Sequence, residues 1–357
     1  MTELSPTDSK IKSKAFMGQM ISIINGGALS LMISIGHKTG LFDIMDGSQP
    51  ATSEEISKSA NLDERYVREW LSALSCGGVL EHDSTAGTFF LPPEHAGLLT
   101  RRSGPLNLAI PLQMIPLLGE VEEDIVEVFK NGGGVPYDRY PRFQELMAET
   151  SNNRFQRTLL EQIVPILPVQ DELSTGIDVA DVGCGSGRAL CILGAAFPNS
   201  RFVGFDMSTK GIEAAQAEAA NLPNVTFEVA DASALNQHER FDLVTTFDAI
   251  HDQAQPEQVL AGIYAMTKPG GSYLCVEPKA SSVLAENLNE PMAPYMYTIS
   301  TMHCMTVSLA YGGEGLGTAW GHQTATEYIR RAGFEDIEIT GVKDDRSNSY
   351  FISRRAR

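Results

Sequence analysis

The segment Asp181-Val-Gly-Cys-Gly-Ser-Gly187 constrains this chain more than any other. An apolar, β-rich run from Ile177 leads into it and a helical run follows, so its three glycines fall in a strand-to-helix turn. Without Cβ atoms such a turn can press its backbone against a ligand, and the helix beyond offers unpaired N–H groups. Further β-rich runs at 201–206, 225–230, 241–247 and 271–277 alternate with helical stretches, which predicts a parallel α/β sheet. Ile337-Glu-Ile339 and Tyr350-Phe-Ile352, after a helix near 324–332, bring the expected total to seven strands.

Ligands in such sheets bind at the carboxyl ends of the strands. The second strand ends at Asp206, nineteen residues after Gly187, where a carboxylate can accept hydrogen bonds from both ribose hydroxyls of an adenosine. Asp231-Ala232 follows the third strand and Phe247-Asp248 the fourth. A glycine cluster alone fits a plain tight turn equally well, but this ordered set at successive strand ends is what one adenosine pocket requires. The GxGxG spacing departs from the GxGxxG of dinucleotide folds and lowers the NAD-dehydrogenase reading.

These residues resemble the class I S-adenosylmethionine-dependent methyltransferases, in particular the two-domain group with an N-terminal winged helix, over nearly the whole chain. The resemblance implies a seven-stranded, mostly parallel Rossmann-like sheet and S-adenosyl-L-methionine as cofactor. Asp181, Gly183, Gly185 and Gly187 then belong to the glycine loop, Asp206 is the ribose acid, and Asp231 and Ala232 border the adenine. Met207 would pack on the adenine, and Phe247 and Asp248 would complete the pocket. His251, in Phe247-Asp-Ala-Ile-His-Asp252, resembles the His-Asp pair of small-molecule O-methyltransferases and is the candidate base. An imidazole titrates near neutrality, which suits removal of a hydroxyl proton. The plainer reading makes His251 a helix cap or a partner for a backbone carbonyl. The residues after Asp252, Gln253-Ala-Gln-Pro256, lack the aromatic often found there. A hydroxyl acceptor is expected; thiol, thioether and amine acceptors are the alternatives, and a thioether would need no base.

The insertion Lys279 to His322 is too long for a plain connection and reads as a substrate cap. Met292, Tyr295, Met296, Ile299, Met302, His303 and Thr306 recur at helical intervals and share one face. From this stretch Tyr295, Met296, Ile299, His303 and Trp320 are expected to line the acceptor pocket. Gly312-Gly-Glu-Gly-Leu-Gly317 is expected to be a mobile loop over it, with Glu314 available to a cationic acceptor.

The first domain is expected over 1–130 and the second over 131–357, with Asn131-Gly-Gly-Gly134 as a flexible joint. Thr52-Ser-Glu-Glu55 is a capping-box pattern opening a helix-turn-helix, and Val79-Leu80-Glu81 with Thr88–Leu91 reads as a hairpin, together a winged helix. A winged helix raises a second class of function, a transcriptional regulator holding a nucleoside ligand. Against it, residues 1–100 carry seven Lys/Arg and twelve Asp/Glu, and the whole chain has a formal charge of −18. Phosphate contacts would gain almost nothing from such a surface, so neither nucleic acid nor anionic membrane is expected as a partner. The domain is read instead as a packing and dimerisation module, giving a homodimer.

Residues 21–36 are apolar but interrupted by Asn25, Gly26, Gly27, Ser30 and Ser34, a run read as a buried helix too short to span hydrocarbon. Met1 to Lys14 lacks the apolar core and small-residue site of a secretory signal, which points to the cytoplasm. The five cysteines form no CxxC pair, so neither zinc nor a disulfide framework is expected.

Overall fold

The computed structural model describes residues 6–357 and divides into two compact units between Leu117 and Leu118. The division expected at residue 130 falls too late. The helix Glu122–Asn131 belongs with the second unit, where Arg139 donates to Asp124 Oδ2 at 3.0 and 2.7 Å.

The first unit opens with one continuous helix, Pro6–Thr39. Gly26 and Gly27 do not break it, since helical φ/ψ is open to glycine and nothing lies within 4 Å of where their Cβ atoms would be. Two expectations fail here. The apolar stretch is not buried: Phe16, Met17, Ile21 and Ile24 are 54–65% exposed. Nor is it short, for the helix over Asp8–Thr39 is long and apolar enough to cross a membrane by length and composition. Only its last turns dock, where a Cβ at Gly36 would lie 2.5 Å from the Trp70 ring and Trp70 Nε1 donates to the Met32 carbonyl at 2.8 Å.

A winged helix follows. Thr52 and Glu55 form a reciprocal cap, Thr52 N–H donating to Glu55 Oε2 at 2.8 Å and Glu55 N–H to Thr52 Oγ1 at 3.3 Å. This opens the helix Ser53–Ala60, which Asn61 ends in the left-handed conformation. The helix Glu64–Cys76 comes next, then the hairpin β1 (Glu81–Asp83) and β2 (Thr88–Phe90), with Ala51 bridging Phe89. Phe42, Val67, Trp70, Leu71, Leu74 and Leu91 form the core, each large side chain contributing about 1.5–3 kcal/mol on burial. Arg65 and Arg68, the cations of the second helix, pair with Glu69 and Glu64 on the same helix.

The second unit is an α/β sheet of seven strands: β3 (Asp178–Val182), β4 (Arg201–Asp206), β5 (Val225–Val229), β6 (Phe241–Phe247), β7 (Thr267–Pro278), β8 (Glu335–Val342) and β9 (Asp345–Arg354). Their order is β5-β4-β3-β6-β7-β9-β8, parallel from β5 to β7, with β9 antiparallel to both of its neighbours. Apolar side chains fill both faces: Leu190, Leu193, Phe202 and Phe227 on one, Val244, Leu260, Ile263 and Ile329 on the other. Burial on two faces explains why the central strands read as continuous apolar runs rather than alternating ones.

Asn131–Gly134 is not a free joint. A Cβ at Gly134 would fall 1.9 Å from the Thr306 carbonyl oxygen, so the glycine is there to let two backbones touch.

Candidate active site

Strand β3 is the switch point of the sheet, with β4 beside it on one side and β6 on the other, so a crevice opens at its carboxyl end. All three glycines of the loop after it have positive φ: Gly183 at 76°, Gly185 at 54° and Gly187 at 72°. Their surroundings differ. A Cβ at Gly183 would meet Ala249 Cβ at 2.6 Å and one at Gly187 would meet the Phe227 ring at 2.4 Å, whereas one at Gly185 would project into open space. The outer two glycines serve packing, and the middle one leaves the cradle for a ligand. Gly185 N–H donates to Asp206 Oδ2 and Ser208 N–H to Asp206 Oδ1, both at 2.8 Å. This fixes the carboxylate at the tip of β4 with acceptor capacity to spare for a diol.

Asp181 is buried in β3 and accepts from Thr245 Oγ1 at 2.8 Å. Burial pushes its carboxyl up to about 7, with Asp206 adding repulsion and Thr245 working the other way. Met207, expected against an adenine, is exposed one residue beyond the end of β4. Asp231 caps the short turn Ala232–Ala234 and accepts from Ser233 N–H at 2.8 Å, placing Asp231 and Ala232 at the end of β5. Phe247, at the end of β6, meets Phe155 edge-on at 4.9 Å. Asp248 turns the chain with φ 52° and accepts from Arg154 Nη1 at 2.6 Å.

His251 is buried and caps no helix. Its Nδ1–H donates to Glu277 Oε2 at 2.6 Å, and Glu277 Oε1 accepts from Ile250 N–H at 2.9 Å. The carboxylate thus orients both the ring and the backbone beside it and keeps the proton on Nδ1, so that Nε2 carries the lone pair. Burial disfavours the imidazolium, yet Glu277 more than offsets this and the His251 pKa lies well above its ordinary value. The Cys304 side chain bonds to the same imidazole, and Thr318 Oγ1 donates to Cys304 Sγ at 3.1 Å. Burial raises Asp252 to about 6.

Of the expected acceptor wall, His303 lies deepest. Its ring stacks on Phe143 at 3.7 Å and meets Tyr140 at 4.7 Å and Tyr137 at 5.6 Å, and neither ring nitrogen has a partner. Burial drives its pKa down to about 3, with His251 nearby adding to the effect. Tyr295, Met296 and Ile299 are partly buried on the helix Ala293–Ile299 that leads to it.

Two expected wall residues belong elsewhere. Trp320 is 4% exposed and packs in the core beneath the sheet, edge-on to Tyr328, because its indole is covered on all sides. Glu314 is exposed and already accepts from the Tyr328 hydroxyl. The loop carrying it is tied down: Gly317 N–H donates to the His251 carbonyl at 3.1 Å, Gly315 N–H to Ser308 Oγ at 3.1 Å, and Glu314 N–H to Ala254 at 3.3 Å. It braces the turn that carries His251.

Besides Tyr140 and Phe143, which pack around His303, three residues of the site were not among the candidates. Glu277 stood in the sequence as the acid closing an otherwise apolar strand, Leu274-Cys-Val-Glu277, a readable signal. Arg154 and Tyr137 gave none. Tyr137 is close enough to Asp252 and Asp206 for both to raise its pKa, after burial itself.

Comparison with known proteins agrees with this geometry. Residues 27–101 match the family of Rv2258c-like winged HTH domains, and residues 173–333 match a methyltransferase domain family. An uncharacterised 37.1 kDa protein in transposon TN4556 of Streptomyces fradiae is 33% identical over 110 residues, 30% of this chain and 32% of that protein. The malonyl-[acyl-carrier protein] O-methyltransferase of Bacillus cereus is 28% identical over 134 residues, 38% of this chain and 45% of that protein. The chain thus spans less than half the length of these two relatives. The structure of human N-acetylserotonin methyltransferase with S-adenosylmethionine superposes with a TM-score of 0.70 at 15% identity, covering 96% of this chain and 98% of that one. The mitomycin 7-O-methyltransferase MmcR gives 0.74 at 14% identity, covering 97% and 100%. The chain has the fold of the class I S-adenosylmethionine-dependent methyltransferases, preceded by a winged-helix domain.

Proposed function

We propose that this chain is an enzyme that transfers a methyl group from S-adenosyl-L-methionine to a hydroxyl of a small organic acceptor, with His251 as general base. The observation that carries the reading is the buried His251–Glu277 pair, one short turn beyond β6 and beside the glycine crevice. When bound, the cofactor supplies an electrophilic methyl on a sulfonium.

The residues present fit that group. Gly185 leaves a cradle, Asp206 offers acceptors to a ribose, and Asp181, Asp206, Asp248 and Asp252 are buried or half-buried acids whose charged forms a cationic ligand would stabilise. His251 Nε2 takes the acceptor proton, and Glu277 stabilises the imidazolium that results. Tyr137, Tyr140, Phe143 and His303 present apolar faces to a flat acceptor and keep water from the reaction. A thioether acceptor would leave His251 without a proton to take, and a neutral amine would need none removed before it attacks.

We infer in addition that the chain works as a homodimer in the cytoplasm, joined through its first unit. The exposed apolar stretch of the helix Pro6–Thr39 supports an apolar partner, and the same helix of a second copy offers one. The in-helix pairing of Arg65 and Arg68 supports a winged helix that packs rather than reads DNA.

Methyl-labelled cofactor incubated with a panel of phenols, alcohols, amines and thioethers tests the chemistry. Label passing to hydroxyls, and lost in His251→Ala, is expected. Label passing to a thioether with His251→Ala unimpaired would refute the base.

A further inference from the structure

The site already described is crowded with acids and contains one deeply placed guanidinium. Arg154 projects from the helix Phe143–Thr158 and is 11% exposed in its side chain. It lies over the Phe155 ring at 4.7 Å and near the Phe247 ring at 5.9 Å, which help to fix the guanidinium. Nη1 donates to Asp248 Oδ2 at 2.6 Å and sits 4.0 Å from Asp345 Oδ2. Asp345 is itself saturated by Asn348 and by the Tyr350 hydroxyl at 2.7 Å. Arg154 is also close enough to Asp181 to stabilise its charge, which brings the guanidinium to the switch point between β3 and β6.

The pair is incompletely matched. Arg154 Nε has no acceptor and Asp248 Oδ1 has no donor, although both atoms are buried. Buried polar atoms without partners are rare in native proteins, and a ligand is one of the standard reasons for them. Here one spare donor sits on a fixed cation and one spare acceptor on a fixed anion, within a single ion pair. An α-amino acid head has the complementary set, a carboxylate and an ammonium on one carbon. The other cation beside the glycine loop, Arg188, pairs with Glu218 and also has an Nε without a partner, but no orphaned acceptor accompanies it as Asp248 Oδ1 accompanies Arg154. Lys268 pairs with Asp178 and Asp242, at the start of β3 and next to the start of β6.

We propose that Arg154 and Asp248 together read the amino acid head of the cofactor, Arg154 binding its carboxylate and Asp248 its ammonium. This rests on the cofactor reading above. It gives Arg154 a task that no sequence motif announces: in a crevice lined with acids the sulfonium and ammonium find partners on several sides, whereas the carboxylate needs a cation, and this guanidinium offers it a strong, charge-assisted bond.

The test separates the head from the nucleoside. S-adenosylhomocysteine carries the head, 5′-methylthioadenosine lacks it, and the decarboxylated analogue lacks only the carboxylate. Titration calorimetry of the full chain should show the decarboxylated analogue binding at least about tenfold more weakly than S-adenosylhomocysteine. Arg154→Gln should weaken S-adenosylhomocysteine by about tenfold to a hundredfold, leave 5′-methylthioadenosine unchanged, and abolish the preference between the first ligand and its decarboxylated analogue. Arg154→Lys should recover part of the loss. Equal weakening of all three ligands would make Arg154 a structural brace and overturn the proposal, as would an undiminished preference in Arg154→Gln. If the variants do not fold, the wild-type comparison decides alone, and equal affinity for the two head variants refutes the role. Failure of the wild type to bind any of the three would instead remove the cofactor reading itself.

Discussion

His251 Nδ1 and Glu277 Oε2 lie 2.6 Å apart in a buried setting, joining the turn after β6 to the end of β7. The relationship fixes the tautomer, aims Nε2, and holds the imidazole pKa well above 6.5. A base must be neutral to act, so the methylation rate of a hydroxyl acceptor should rise with pH through a midpoint above 6.5. Glu277→Gln should move that midpoint down and lower the plateau by about 10²-fold or more. A pH–rate profile of both proteins checks this, and an unmoved midpoint would separate the carboxylate from the base.

The same pair has a consequence for stability. A histidine whose folded pKa is raised stabilises the fold fully below its unfolded pKa, and that contribution fades as pH rises through the folded value. Melting temperature should therefore fall on going from pH 6 to alkaline pH more steeply in the wild type than in Glu277→Gln. Parallel curves would contradict the coupling.

Asp181 titrates at about 7 because it is buried. A cationic ligand beside it favours the carboxylate, lowers that pKa, and so releases protons on binding at pH 7. The apparent binding enthalpy should vary with the ionisation heat of the buffer, and Asp181→Asn should flatten this dependence. A wild-type enthalpy indifferent to buffer would mean that Asp181 does not feel the ligand.

The glycine loop separates packing from binding. Gly187→Ala must fit a Cβ 2.4 Å from Phe227 in a left-handed conformation and should cost about 2–4 kcal/mol of stability. Gly185→Ala meets no neighbour and should cost only the conformational strain of about 1–2 kcal/mol, yet weaken the cofactor more than it weakens the fold. Chemical denaturation beside ligand titration reads both, and a Gly185→Ala chain that binds normally would show the cradle to be spare.

The long first helix carries its own test. Light scattering should give twice the chain mass at micromolar concentration, and Ile24→Glu with Phe16→Glu should give the mass of one chain. A wild-type monomer would remove the dimer, and partition of the chain onto lipid vesicles would assign the apolar face to a membrane.

What the sequence made legible was whatever local chemistry dictates. The Thr52–Glu55 cap, the glycine turn at 183, 185 and 187 and the buried parallel strands each follow from residues a few positions apart. Burial of the Pro6–Thr39 helix was not legible because an apolar run carries no mark of whether the rest of the chain covers it. Trp320 and Glu314 were misplaced because an aromatic or an acid in a long insertion carries no mark of the direction it faces. Arg154 and Tyr137 sit in segments remote from the strand-end motifs, and only the tertiary fold brings them to Asp248, Asp206 and Asp252.

The most direct test of the central claim is calorimetric titration of S-adenosylmethionine and S-adenosylhomocysteine into the chain, beside NAD and an Asp206→Ala control. Binding of both sulfur nucleosides near micromolar affinity, lost in the control and absent for NAD, is the expected result. Failure to bind either, or a preference for NAD, would contradict the account.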